Sequence, residues 1–311
     1  MPRSSYRSLG CNRCRPWFVT KTYFQFFVFY TLRLFVQKRK TVHTPINSFK
    51  QSLQLKKPQI GLWMGIGSAF CADIVAGAGF DWLVIDGEHG PNDLTTILSQ
   101  LQTVSGYPDT HAVVRVPSGD PVFIKQVLDL GAQTLLVPMV DTAAQAADVV
   151  RACRYPQDDG RGGIRGMAGS RATRWGRYTD YFTEANAQVC VLVQVESKLA
   201  MANLDAITLT DGVDGVFIGP ADLSASMGHV GNPTHPDVQA AIVNGIARIS
   251  KLGKSPGILM ADETLARDYL SRGAIFVAVG VDSVILANQT GALAAKYKNQ
   301  TTAPVAAPQV Y

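Results

Sequence analysis

Eight short apolar runs recur between residues 60 and 281 of this 311-residue chain, each followed by a stretch with helical periodicity. Few folds accept that alternation. The runs cover residues 60–66, 82–85, 112–116, 134–140, 189–195, 215–218, 257–260 and 275–281. Their bulky, β-branched content is that of strands covered on both faces. The helical stretches are 68–78, 92–104, 121–130, 142–154, 199–209, 236–252, 263–272 and 283–298, with a lead-in helix capped by Asn47 over 48–55. Eight strand–helix units of this length predict an α/β chain, the parallel (β/α)8 TIM barrel. The competing open doubly wound sheet needs a phosphate-binding glycine fingerprint on its first turn. Gly65-Ile66-Gly67 lacks the third glycine at the required spacing.

The barrel is expected to occupy residues 45–311 as one domain. Residues 1–44 form a separate leader carrying nine Lys/Arg and no acid, which leaves 20 basic against 24 acidic residues in the rest. The overall +5 charge therefore says nothing about the body, and nucleic acid is excluded as a partner. Within the leader, residues 17–36 are mostly apolar and resemble a membrane anchor. Lys21, Gln25 and Arg33 interrupt that stretch, and each charge near a helix centre costs about 2.5–3.5 kcal/mol on insertion. No small-residue cleavage site follows, and the many aromatics are unusual for a transit peptide. The favoured reading is that translation starts near Val42, giving a cytoplasmic protein without a membrane partner. Cys71, Cys153 and Cys190 lie in apolar surroundings as reduced core thiols, and Cys11 and Cys14 lack the further ligands of a zinc site.

The fourth strand–helix connection breaks the rhythm. Residues 155–188 hold no strand but carry Arg161, Arg165, Arg171, Arg174 and Arg177. A solvated basic loop is the default; a lid or subunit contact is the sharper alternative.

Active sites of such barrels lie at the C-terminal strand ends. There the sequence places Asp86, Glu88 and His89 after strand two, Arg115 on three, Gln194 and Glu196 on five, and Asp222 after Gly219, Pro220 and Ala221 on six. Two carboxylates ending apolar strands are costly to bury without a cation. Glu196 and Asp222 are thus candidate ligands for Mg²⁺, Mn²⁺ or Co²⁺, unless arginines of the insertion neutralise them. Arg115 suits bidentate carboxylate recognition, His89 suits proton transfer near neutral pH, and the Gly219, Pro220, Ala221 turn offers backbone N–H groups to a carboxylate. Asp282, ending strand eight, is a candidate helix cap. No lysine stands at a strand end, against Schiff-base chemistry, and no Gly-x-Ser-x-Gly elbow supports a serine nucleophile.

These residues in this order resemble the HpcH/HpaI family of metal-dependent pyruvate aldolases, of the 4-hydroxy-2-oxoheptanedioate aldolase type. The resemblance runs from about Asn47 to Tyr311. It rests on Ile60-Gly61-Leu62-Trp63, Ile85-Asp86-Gly87-Glu88-His89, the Arg115 segment, Gln133-Thr134-Leu135-Leu136-Val137-Pro138, Val193-Gln194-Val195-Glu196, Phe217-Ile218-Gly219-Pro220-Ala221-Asp222-Leu223-Ser224 and Phe276-Val277-Ala278-Val279-Gly280-Val281-Asp282. It implies Glu196 and Asp222 as metal ligands, with Arg115, Gln194 and the Gly219, Pro220, Ala221 backbone around pyruvate. His89 is then the base, with Asp86 and Glu88 in support, and Asp129 reaches His89 from a neighbouring subunit of a homohexamer. The expected partners are a small keto acid and an aldehyde. A keto-deoxy sugar acid aldolase and a non-catalytic barrel scaffold are the alternatives. Residues 157–163 are longer than the family pattern, and residues 1–44 have no counterpart in it.

Overall fold

The predicted alternation closes on itself. A computed structural model of the chain describes residues 42–156 and 162–298. Its eight strands pair in parallel in sequence order, and β8 returns to β1. They are β1 Gln59–Met64, β2 Trp82–Asp86, β3 His111–Arg115, β4 Thr134–Val137, β5 Cys190–Val195, β6 Gly215–Ile218, β7 Ser255–Leu259 and β8 Phe276–Val281. The barrel predicted from the spacing is the barrel observed.

Period-two alternation divides each strand between two cores. Leu83, Ile85, Val114, Leu135, Val191, Val193, Val216 and Ile258 face outward and pack under the helices. Trp63, Trp82, Val84, Val113, Leu136, Leu192, Phe217, Leu259, Phe276 and Ala278 fill the interior. The lead-in helix α1, Ser48–Gln54, is capped by Asn47 as expected and closes the N-terminal end of the barrel with Phe49 and Leu53. Phe49 packs against Trp82, His111 and Phe276. Burial lowers the His111 imidazole to about 4, and its Nε2 meets Thr134 Oγ1 at 2.8 Å. It is a neutral core histidine.

The outer helices are α2 Ala69–Ala76, α3 Leu94–Val104, α4 Pro121–Asp129 and α5 Ala143–Cys153. After the insertion come α6 Tyr181–Gln188, α7 Lys198–Ala202, α8 Leu204–Leu209, α9 Pro220–Ser226, α10 Pro236–Lys251, α11 Glu263–Ser271 and α12 Asp282–Lys298. Two expectations change. One predicted helix is the pair α7 and α8. The described part of the insertion is only partly a solvated loop: it contains a 3-10 turn at Arg171–Thr173 and α6, and Arg165 is 3% exposed, its guanidinium 4.3 Å over the Tyr155 ring and paired with Asp129 at 3.1 Å. The polar charge count hid a local apolar cluster of Tyr155, Ala172, Tyr181 and Ala185. No helix among the described residues is long and apolar enough to cross a membrane. The apolar stretch 17–36, the Cys11 and Cys14 pair, Arg161 and the tail beyond residue 298 lie outside those residues.

Gly257 tests the interior packing, because a Cβ there would overlap the Phe276 ring. Gly257→Ala is expected to destabilise the barrel by about 1–3 kcal/mol through forced displacement of that ring. Urea unfolding of the two proteins checks this, and equal midpoints would mean the ring moves freely.

Candidate active site

The same alternation that fills the barrel delivers its polar mouth. Asp86 follows Trp82 and Val84 on the inner face of β2, and the β2–β3 register sets Arg115 directly beside it. Arg115 Nε and Nη2 donate to Asp86 Oδ1 and Oδ2 at 2.8 and 2.6 Å, while Nη1 lies 2.7 Å from Glu88 Oε2. Trp63 Nε1 adds a bond to Asp86 Oδ2 at 3.0 Å, and the backbone N–H groups of Glu88 and His89 reach Oδ1 at 3.0 and 3.3 Å. The guanidinium also lies 4.7 Å over the Trp63 ring. Burial alone would raise the Asp86 carboxyl. Arg115, Trp63 and the Glu88 N–H together outweigh it and hold Asp86 below the usual carboxylate range.

Its side-on fork is filled by Asp86, so three of the five Arg115 guanidinium donors are committed and two remain on the pocket side.

A second group of acids has no such cation. Glu196, 2% exposed, accepts from the Met139 N–H at 2.8 Å and from the Gln194 amide. Burial, with lesser contributions from Asp222 and Glu88, pushes its carboxyl up to about 7. Glu88 is also raised, first by burial and further by Asp86 and Asp222, against the pull of Arg115 and His89. No described arginine of the insertion lines this pocket, so the alternative that they neutralise Glu196 and Asp222 fails for those residues. Met139 reaches Glu196 through a left-handed backbone at φ +53°, a conformation with no signature in a methionine.

Glycine is required beside Glu196. A Cβ on Gly219 would overlap Glu196 Oε2 and stand 2.9 Å from Gln194 Nε2. Pro220 then opens α9 with no side chain capping it, and Asp222 lies in its first turn. Trp63, His89, Arg115, Gln194, Glu196, Gly219, Pro220, Ala221 and Asp222 line one pocket of about 320 Å³. His89 is solvent-exposed and held at its backbone by Asp86. Asp282 belongs to the mouth more than to a simple cap: it accepts from Gly65 and Ser283 N–H at 2.8 and 2.7 Å and ties the loop after β1 to the end of β8.

Asp129 is the site residue that one chain does not bring to this mouth. It ends α4, and helices of a βα unit run back toward the strand N-termini, so it lies at the opposite end. Trp63 and Met139 carry contacts that the sequence reading gave no role. Position on an inner face would have found Trp63; nothing in the sequence marks Met139.

The donor set fits a divalent cation. Glu196 and Asp222 line the pocket and are opposed electrostatically by a raised Glu88, and Gln194 Oε1 is buried without a hydrogen-bond partner.

Residues 59–289 match the family model described as HpcH/HpaI aldolase/citrate lyase. The chain belongs to that family. It is accordingly a carbon–carbon lyase. It is 59% identical over 256 residues to a 4-hydroxy-2-oxovalerate aldolase of Rhodococcus jostii (strain RHA1), covering 82% of this chain and 98% of that one. A 4-hydroxy-2-oxo-heptane-1,7-dioate aldolase of Escherichia coli (strain ATCC 8739 / DSM 1576 / NBRC 3972 / NCIMB 8545 / WDCM 00012 / Crooks) is 57% identical over 259 residues, 83% and 97% of the two chains. The crystal structure of a family protein from Burkholderia cenocepacia J2315 superposes with a TM-score of 0.78 at 41% identity, covering 81% of this chain and 99% of its own.

Glu196 gives a signed pH prediction. A carboxyl raised from 4.5 to about 7 binds its proton more tightly folded than unfolded, so stability falls as pH rises across that window. Without metal, Glu196→Gln should flatten that fall by up to about 3 kcal/mol. Denaturant unfolding at pH 5 and pH 8 in chelator measures it; parallel slopes for both proteins would mean that the carboxyl is not perturbed.

Proposed function

We propose that this chain cleaves 4-hydroxy-2-oxoheptane-1,7-dioate to pyruvate and succinic semialdehyde in a retro-aldol reaction dependent on a divalent metal. What carries the reading is one pocket in which an exposed imidazole, a committed arginine and two uncompensated carboxylates meet. The similarity to the Escherichia coli heptanedioate aldolase supports the substrate.

Glu196 and Asp222 would hold Mg²⁺, Mn²⁺ or Co²⁺, which when bound supplies Lewis-acid polarisation of the 2-keto oxygen. The uncapped first turn of α9, with the N–H groups of Ala221 and Asp222, receives the pyruvoyl carboxylate. Gln194 orients the substrate from the same wall. His89 accepts the proton of the 4-hydroxyl as the C3–C4 bond breaks, and the bonding pair passes into the C2 carbonyl to leave pyruvate enolate. Arg115, fixed by Asp86 and Glu88, meets the developing negative charge with its two remaining N–H groups, a preorganised donor that does not reorient during the step. Protonation at C3 completes pyruvate.

Asp129 enters this reading only from a neighbouring copy in a homohexamer, where it would orient His89 while carrying its bond to Arg165. A soluble cytoplasmic enzyme spanning residues 45–311 completes the picture.

A neutral acceptor is the second reading. None of the described insertion arginines lines the pocket, which leaves a distal carboxylate without a described partner. The Rhodococcus jostii relative named for 4-hydroxy-2-oxovalerate fits a short acceptor equally well. Comparing kcat/KM for the heptanedioate, 4-hydroxy-2-oxovalerate and a 3-deoxy sugar acid decides between them.

His89→Ala is expected to lose about 10²–10⁴-fold in cleavage while pyruvate still binds. Arg115→Lys retains charge but loses the fork that locks it to Asp86, and should lose at least about tenfold in kcat/KM. Chelator treatment should abolish both cleavage and exchange of pyruvate methyl protons with deuterated water, with recovery on adding Mg²⁺ or Mn²⁺. Full turnover after chelation, or in Glu196→Gln, would remove the metal from the mechanism.

A further inference from the structure

A second group of metal-type ligands stands apart from the pocket. Between α9 and α10 the chain turns through residues 227–235, at the mouth end of the barrel because α10 starts there and runs back to β7. His229 follows α9, His235 caps α10, and Asp237 lies in the first turn of α10. His229 Nε2 and His235 Nδ1 stand 3.7 and 3.8 Å from Asp237 Oδ2, and the three donor atoms all lie within 4.8 Å of one another. Tetrahedral bonds of about 2.0–2.1 Å place donors about 3.3 Å apart, so two edges of the triangle need to close by only about half an ångström.

The loop holds the backbone of both histidines before any ion arrives. The two imidazoles stack with centroids 3.5 Å apart and planes 13° from parallel, so one ring must turn out of the stack for both in-plane lone pairs to meet a single ion. His229 N–H donates to Ser224 O at 2.8 Å, and Asn232 N–H donates to His229 O at 2.9 Å. His235 Nδ1 accepts from the Asp237 N–H at 3.2 Å, so that nitrogen carries no proton, and an ion bound there takes over the lone pair that now caps α10. Side-chain exposures of 26% and 31% leave both rings reachable from solvent.

We propose that His229, His235 and Asp237 form a second metal site, for an ion of the zinc class. Two imidazoles and one carboxylate suit Zn²⁺, Ni²⁺, Co²⁺ or Cu²⁺, whereas the all-oxygen pair Glu196 and Asp222 suits Mg²⁺ or Mn²⁺. The positive end of α10 opposes a cation here, and Asp237 offsets it. A bound ion links the C-terminal end of α9 to the start of α10. Because α9 also carries Asp222, the link braces the turn that lines the pocket without touching substrate.

Zinc stoichiometry and affinity by calorimetry, with metal content after gel filtration, test the proposal on the full chain. Wild type should hold two Zn²⁺ per chain and show a zinc-dependent rise in melting temperature. His229→Ala, which leaves the α10 cap intact, should hold one, with affinity at the lost site down by at least about tenfold and aldolase turnover in Mg²⁺ unchanged. Asp237→Asn should behave in the same way. Glu196→Gln combined with Asp222→Asn should lose the other ion and keep this one. Equal zinc content and affinity in wild type, His229→Ala and Asp237→Asn would overturn the second site while leaving the mouth reading intact. Loss at His229→Ala with no loss in the mouth variant would overturn the mouth reading alone.

Discussion

The buried pairing of Asp86 with Arg115 is the interaction on which the mouth depends. Asp86 is fully buried and Arg115 only 4% exposed, so each would be costly alone. The pair is tolerable because the fork geometry is complete and three further N–H groups, from Trp63, Glu88 and His89, complete the carboxylate's shell. That shell also fixes the loop that presents His89. Removing either partner would thus disturb the His89 loop and the ion pair together.

The pairing also decides how charge is distributed over the pocket. Arg115 is the cation with which Asp86 and Glu88 are matched, and no equivalent cation among the described residues pairs with Glu196 or Asp222. A buried carboxyl pushed up to about 7 beside a second acid is an electrostatic deficit of the kind that a divalent ion would relieve. Glycine at 219 belongs to the same arrangement, since any side chain there would occupy the space of the Glu196 carboxylate.

Much of this was legible in the sequence because period-two alternation is a strong signal when eight strands repeat it. Arg115 and Gln194 fall on inner-face positions at strand ends, and that alone brings them to one pocket, with Asp86 paired to Arg115 beside it. What was not legible depends on contacts between elements. The Asp86 fork on Arg115 is a matter of register between two strands, which composition does not reveal. The left-handed Met139 is forced by the turn after β4, not by methionine itself. In the insertion, five arginines read as solvated surface, yet Arg165 is sandwiched beside Tyr155 because aromatic faces and Asp129 together replace its water.

The two ends of the barrel are consequently under different constraints. At the mouth, the polar residues are on strands or in the turn directly after them, packed by the interior core and unable to drift without disturbing it. The acceptor half would be met by whatever loops and neighbouring chains lie above that rim, and Arg165, Arg171 and Asp129 are instead tied together around the end of α4 at the other end. Relatives 59% and 57% identical to this chain carry names with different acceptors, which fits that division. On the proposed function, a rigid strand-borne site would hold the keto acid and the bond to be broken, while aldehyde choice would fall to elements that no strand register controls.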